Sequence, residues 1–308
     1  MRAYIGKRLL HLVWIMLAVS FLTFLLMYLT PGDAATKKLT AQGVAVSEEV
    51  VQNARADMGL DRPFPVQYAD WLLHAFRLDL GCSYKDGFSV SKKLWKGLKN
   101  TAVLMTASML LSLAVSIPLG FLSALKKDSP ADHVIRFLTF IGNSLPNFLI
   151  SVLLMYFLCV KARLLPVVAD RNIRGLILPC LSLAIPISSR FIRQFRAEIL
   201  EELGKPYVKG ALIRGVKRRF IIRNVFHNAS IRILTVVGLS VGTVLGGSVV
   251  IETIFRWPGL GKLAMDAITN RDYPVIQGFV LLTSFIYVII NLITDISYHA
   301  IDPRLQEG

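Results

Sequence analysis

Apolar and polar residues alternate in long blocks along this chain, not with the short period of strands. Six apolar stretches are long enough, or nearly so, to cross a hydrocarbon core, which takes about 20 residues of helix. They run from Leu9 to Leu29, Ala102 to Leu125, Val134 to Val160, Gly175 to Ile192, Ile233 to Phe255 and Val275 to Ser297. The fourth is short and interrupted by Pro179 and Pro186. Spanning helices tolerate proline because neighbouring groups satisfy the freed carbonyls. The pattern predicts an all-α polytopic membrane protein with six transmembrane helices. It is divided as an N-terminal helix (1–30), an outer loop with a short helix (31–99), a five-helix core (100–299) and a tail (300–308).

Composition supports the membrane. The chain is 54% hydrophobic and only 18% charged, too apolar for an ordinary soluble surface. The first apolar run follows Arg2, Lys7 and Arg8. It exceeds the roughly 7–15 residues of a signal-peptide core, which favours an uncleaved span. The net charge of +15 sits between apolar runs, not on a soluble basic face, so no nucleic-acid partner is expected.

The charge also predicts orientation. Arg2, Lys7 and Arg8 precede span one, and Lys126 and Lys127 follow span two. Between spans four and five lie ten further cations, from Arg193 to Arg232. Six spans put all three clusters on one side, which the positive-inside rule makes cytoplasmic, with both termini. Arg171 and Arg174 oppose this mildly. In the outer loop, Tyr68, Trp71, Leu72, Ala75 and Phe76 recur at helical spacing. They predict an amphipathic helix between Val66 and Leu80, resting on the membrane or forming a packed cap.

The segment 193–232 is too long for a simple bundle turn and carries apolar residues throughout. Gly204-Lys205-Pro206 and Gly215 break it. Between the breaks a helix of about two turns is expected, with proline at its first position and Tyr207, Ala211 and Arg214 on one face. Such a helix suits docking in a partner's groove. A basic segment lying on lipid has the same pattern.

Polar groups inside spans are costly against lipid and are candidates for a pathway. Asn143, Ser144, Asn147, Ser188, Ser240, Thr243 and Glu252 qualify, although hydroxyls often bond their own helix. Gly238, Gly242 and Gly246 recur every fourth residue and predict close helix packing. Three cysteines and scattered histidines make no metal framework. Gly259-Leu260-Gly261-Lys262 lacks the spacer and the hydroxyl residue of a phosphate-binding loop. Spans almost free of carboxylates argue against a gradient-driven transporter.

Lys209-Gly210-Ala211 and Gly215 stand at the Glu-Ala-Ala and glycine positions of the loop by which ABC importer permeases are known. Pro31-Gly32-Asp33, Leu60-Asp61-Arg62-Pro63, Asp79-Leu80-Gly81, the run from Glu252 to Gly261, the run from Asn270 to Gln277, and Asp302-Pro303-Arg304 follow in order. The chain resembles the dipeptide, oligopeptide and nickel permeases along nearly its whole length. Phe137 to Phe148 and Asp70 to Phe76 resemble the nickel members most. Lys209 is not acidic, and Arg232 stands where the family usually has proline.

The resemblance implies the type I ABC-importer permease fold in a bacterial inner membrane. It also implies a second permease subunit, two cytoplasmic ATPases that use ATP and Mg, and an extracytoplasmic solute-binding protein. This chain would then be no enzyme and bind no cofactor or metal. Tyr207, Lys209, Gly210, Ala211, Arg214 and Gly215 would couple to the ATPases. The cargo would be nickel, a nickel-like chelate, or peptides.

Overall fold

A computed structural model describes residues 2–41, 47–166, 168 and 173–301, and all of their side chains except those of 2–9, 41, 231 and 295–301. In chain order the helices are α1 (Arg2–Leu29), α2 (Ala34–Ala41), α3 (Glu48–Asp57), α4 (Phe64–Phe76), α5 (Val90–Leu125) and α6 (Pro130–Ser144). Then come α7 (Asn147–Leu154), which continues as a wider turn over Met155–Lys161, α8 (Ile173–Leu203), α9 (Pro206–Ile213), α10 (Arg218–Ile254), α11 (Leu260–Asn270) and α12 (Tyr273–Ile301). Among the described residues there is no strand, only an isolated bridge between Cys82 and Ser89. What was expected of Arg171, of the side chains of Arg2, Lys7 and Arg8, and of Asp302–Arg304 lies outside the described residues.

Five of these helices are long and apolar enough to span a membrane, and the bent pair α6–α7 makes a sixth crossing if counted as one. That pair corrects the expectation of an unbroken third span from Val134 to Val160. The chain turns by 103° between α6 and α7. The cause is local: Pro146 removes a donor and holds Leu145 in extended backbone, at φ −82° and ψ 131°. The fourth span departs in the other direction. Helix α8 runs unbroken through Pro179 and Pro186 and well past Ile192.

The helices divide into two compact units, residues 1–101 with 258–289 and residues 102–257 with 290–308. In the first, Val90, Leu94, Leu260, Ala267 and Val275 form a buried cluster. Thr101 Oγ1 caps the start of α11 by accepting from Leu260 N at 2.8 Å. The expected amphipathic helix of the outer loop is α4. It lies against α1, with Phe64 and Tyr68 in edge-to-face contact with Phe21 and Phe24, and the Tyr68 hydroxyl lies 3.0 Å from Ser20 Oγ. Asp272 fixes the loop before α5: it accepts from Ser83 Oγ and from Tyr84 N at 2.8 Å. Burial, with Asp272 adding, pushes the Tyr84 phenol up to about 12, so it stays protonated at any physiological pH.

In the second unit α8 is the centre. Buried residues make up 61% of its spanning window, against 17% for α10. Phe191, Phe195 and Ile199 of α8 pack with Val208, Ile221, Val225, Ala229 and Ile233. Nearer the other end of α8, Leu178, Cys180 and Leu183 pack with Leu104, Ile251 and Phe255. Gly238 permits a close approach, since a Cβ there would meet Thr294 at 2.8 Å, whereas one at Gly246 would meet nothing within 4 Å. Gly242 lies between them on α10. The three-glycine stripe therefore has a packing role inside the chain at Gly238 and none at Gly246.

Candidate coupling helix and polar crevice

Helix α9 is bounded by its own sequence. Pro206 opens it with φ preset for a helix and with no N–H to leave orphaned. Gly215 closes it in the left-handed region at φ +73°. There Gly215 N donates to Leu212 O at 3.0 Å and Val216 N to Ala211 O at 3.1 Å, the paired bonds of a glycine-terminated helix end. Val208 is buried on one side, and Ala211 packs partly against the same core. On the other side Lys209 and Arg214 are exposed, as are Leu212 and Ile213 at 58% and 87%. The expected shared face of Tyr207, Ala211 and Arg214 is thus split, with Ala211 turned inward. Tyr207 is exposed along its ring and anchored at its hydroxyl.

The anchor is Glu202, only 1% exposed at the end of α8. Its Oε1 accepts from the Tyr207 hydroxyl at 2.9 Å and from Asn228 Nδ2 at 3.1 Å. Its Oε2 accepts from Arg232 Nη2 at 2.7 Å and pairs with Lys205 Nζ at 2.6 Å. Arg232 also donates to Glu201. Its Nε lies 3.0 Å from Glu198 Oε2, an ion pair out of hydrogen-bond alignment. Burial chiefly, with the Glu202 carboxylate adding, raises the Tyr207 phenol above its ordinary value, so it remains a donor at neutral pH. A buried carboxylate is tolerated only when its lone pairs are filled, and here one carboxylate joins α8, α9 and α10.

A second buried carboxylate ties α8 to the elements before it. Asp132 of α6 is fully buried. It accepts from Arg196 Nε at 2.9 Å and Nη2 at 2.7 Å, the bidentate geometry that makes such pairs strong. Ser123 of α5 donates to the same carboxylate. Sequence reasoning missed both latches. Arg232 was noted only as a departure from proline. The readable signal was Glu198, Glu201 and Glu202 at three-and-four spacing on one helix face, which calls for a cationic partner.

The predicted pathway residues are only partly brought together. Asn147, Ser240 and Thr243 line one small crevice of about 50 Å³ with Pro186, Arg190 and Gly247. Ser240 Oγ is engaged with Val236 O of its own helix at 2.7 Å. Asn143 and Ser144 are exposed on α6, and Ser144 Oγ bonds Phe140 O. Ser188 is buried, its carbonyl accepting from Ser116 Oγ at 3.2 Å. Glu252 is fully buried. The last two are buried in the chain's own packing. Among the described residues no group of three or more His, Cys, Asp and Glu side chains could hold a metal ion.

Several spanning helices, a crevice carrying Asn147, Arg190, Ser240 and Thr243 and a short exposed helix latched to two long ones fit the transmembrane permease subunit of a transporter. Comparison with known proteins specifies it. The chain belongs to the family described as binding-protein-dependent transport system inner membrane component, which matches residues 116–307, with the N-terminal part of that family matching residues 1–104. It is an ABC importer permease and a multi-pass inner-membrane protein.

Among its relatives, a probable peptide ABC transporter permease protein of Sinorhizobium fredii is 36% identical over 99% of this chain and 100% of its own length. The oligopeptide transport system permease AppB of Bacillus subtilis is also 36% identical, over 99% of this chain and 100% of its own. The metal-staphylopine import system permease CntB of Staphylococcus aureus is 34% identical over 99% of this chain and 98% of its own. The fold matches the MetNI methionine ABC transporter in an inward-facing conformation at a TM-score of 0.59, covering 68% of this chain and 96% of that one at 15% identity. This is the type I ABC-importer permease fold.

Proposed function

We propose that the chain forms half of the pathway of an ATP-driven importer of small peptides, and that α9 is where a cytoplasmic ATPase grips it. The observation that carries this is the geometry of α9: an exposed face of Lys209, Leu212, Ile213 and Arg214 on a helix whose inner side and hydroxyl anchor are bound to α8 and α10. A partner that tilts α9 tilts both long helices with it. ATP and Mg belong to two ATPase subunits, since this sequence has no phosphate-binding loop. A second permease, of the same or a different chain, would complete the pathway, and a solute-binding protein would deliver cargo from outside. The basic connection between α8 and α10 supports an orientation with α9 and both termini in the cytoplasm.

The names of the relatives shift the cargo from nickel toward peptides. The oligopeptide and probable peptide permeases are each 36% identical, and a glutathione transport permease of Salmonella is 35% identical over 98% of this chain. A metal chelate is the second reading, favoured by the metal-staphylopine relative. Deleting the subunit is expected to abolish ATP-dependent uptake of a labelled dipeptide and to leave labelled nickel uptake intact. Loss of nickel uptake with dipeptide uptake unchanged would replace the first reading by the second.

A further inference from the structure

We infer that Arg190, with Asn147 and Thr243, forms an anion-binding station in the pathway that recognises a carboxylate of the passing solute. This rests on the pathway proposed above and goes beyond it to the chemistry of the cargo.

Arg190 stands inside the apolar run from Gly175 to Ile192, where a guanidinium facing lipid is costly. Its surroundings fix which way it faces. Ser188, Ser189, Phe191 and Ile192 are all buried in the chain's own packing, while Arg190 is exposed. It lines the crevice with Asn147 of α7 and Thr243 of α10. Twelve residues separate it from Glu202, which at the helical rise is about 18 Å along α8 from the coupling latch. The crevice is therefore distinct from the coupling site.

Not every arginine of α8 and α10 is free. Arg196 and Arg232 are held by carboxylates of this chain. Among the described residues, the Arg190 guanidinium, the Asn147 amide and the Thr243 hydroxyl have no hydrogen-bond or ion-pair partner. Three unpaired polar side chains from three helices line one crevice whose other walls are largely apolar. Inside a membrane, polar groups without partners are tolerated where they line a water-filled cavity. Gly247 keeps the Asn147 amide accessible, because a Cβ there would lie 3.3 Å from Asn147 Nδ2.

The donor set specifies the ligand. Arginine presents a planar fork of N–H groups that matches a carboxylate bidentately, and asparagine and threonine add N–H and O–H donors. No Asp or Glu lines the crevice. A bare metal cation is repelled by such a site. A peptide with a free carboxylate, or a metal chelate with a net negative charge, is attracted.

The test does not require the cargo to be known. In membrane vesicles from cells producing the complete transporter, with exposed Cys82 replaced by serine, the variant T243C is treated with an anionic and a cationic methanethiosulfonate of similar size. Cys159 and Cys180 are buried and serve as the silent background. The anionic reagent is expected to react about tenfold faster than the cationic one. That preference should vanish when R190Q is added and persist with R190K. Equal rates for the two reagents with Arg190 in place would overturn the inference. So would a preference unchanged by R190Q. Failure of both reagents to react would show the crevice sealed by lipid or by a second permease, and would overturn it as well. A charge preference with no dependence of dipeptide or nickel uptake on this subunit would uphold the station and reject the cargo reading instead.

Discussion

Replacing Glu202 by alanine is expected to leave the chain in the membrane but to cut ATP-driven uptake at least tenfold. The side chain is 1% exposed and joins Lys205, Tyr207, Asn228 and Arg232. Removing one partner of a buried ion pair costs about 3–5 kcal/mol, because the other charge is left unpaired. The lower end applies here, since Arg232 keeps Glu198 and Glu201. Glutamine in the same position still accepts from Tyr207 and Asn228 but no longer pairs with Arg232 and Lys205, so E202Q should fall between wild type and E202A. Uptake and ATP hydrolysis are measured together in the purified, reconstituted transporter. A latch that transmits motion lowers the uptake obtained per ATP. A side chain that matters only for stability lowers the yield of protein and leaves that ratio unchanged.

The second large effect concerns the end of α9. Gly215 sits at φ +73°, and its N–H donates to Leu212 O. Proline fixes φ near −65° and has no N–H, so Gly215→Pro breaks both the turn and its bond. Combined with Lys209→Glu on the exposed face, it is expected to abolish uptake while the chain still inserts. Gly215→Ala alone should be milder, since a left-handed residue with a Cβ costs about 1–2 kcal/mol. The measurement is ATP-driven uptake in vesicles containing equal amounts of inserted subunit. Wild-type uptake in the double variant would show that α9 is not the docking helix.

The spans and α9 were legible because their determinants are local. Apolar runs report crossings, and Pro206 and Gly215 mark the ends of α9 by chemistry that needs no tertiary context. The bend at Leu145–Pro146 was carried by a visible proline. Hydrophobicity alone could not expose it, because an apolar run says nothing about direction. Pro179 and Pro186 show the converse: the same residue type leaves α8 unbroken where packing supports the helix. The latches depend on contacts between distant positions, Arg232 to Glu202 and Arg196 to Asp132. No periodicity encodes such pairs. Arg190 was hidden by its neighbours, since it lies three residues before the basic cluster that begins at Arg193. Only the crevice that it lines with Asn147 and Thr243 separates it. Glu252 and Ser188 were chosen by polarity, and the fold buries both in its own packing.

On the reading proposed above, a motor lodged elsewhere drives this polypeptide and takes hold at the short helix between Pro206 and Gly215. Liposomes holding the purified subunit by itself, supplied with ATP inside and out, test this most directly. Neither phosphate release nor solute accumulation is expected until the ATPase, the second permease and the binding protein are added, after which both should begin together. Phosphate release or uptake by the isolated subunit would contradict the account.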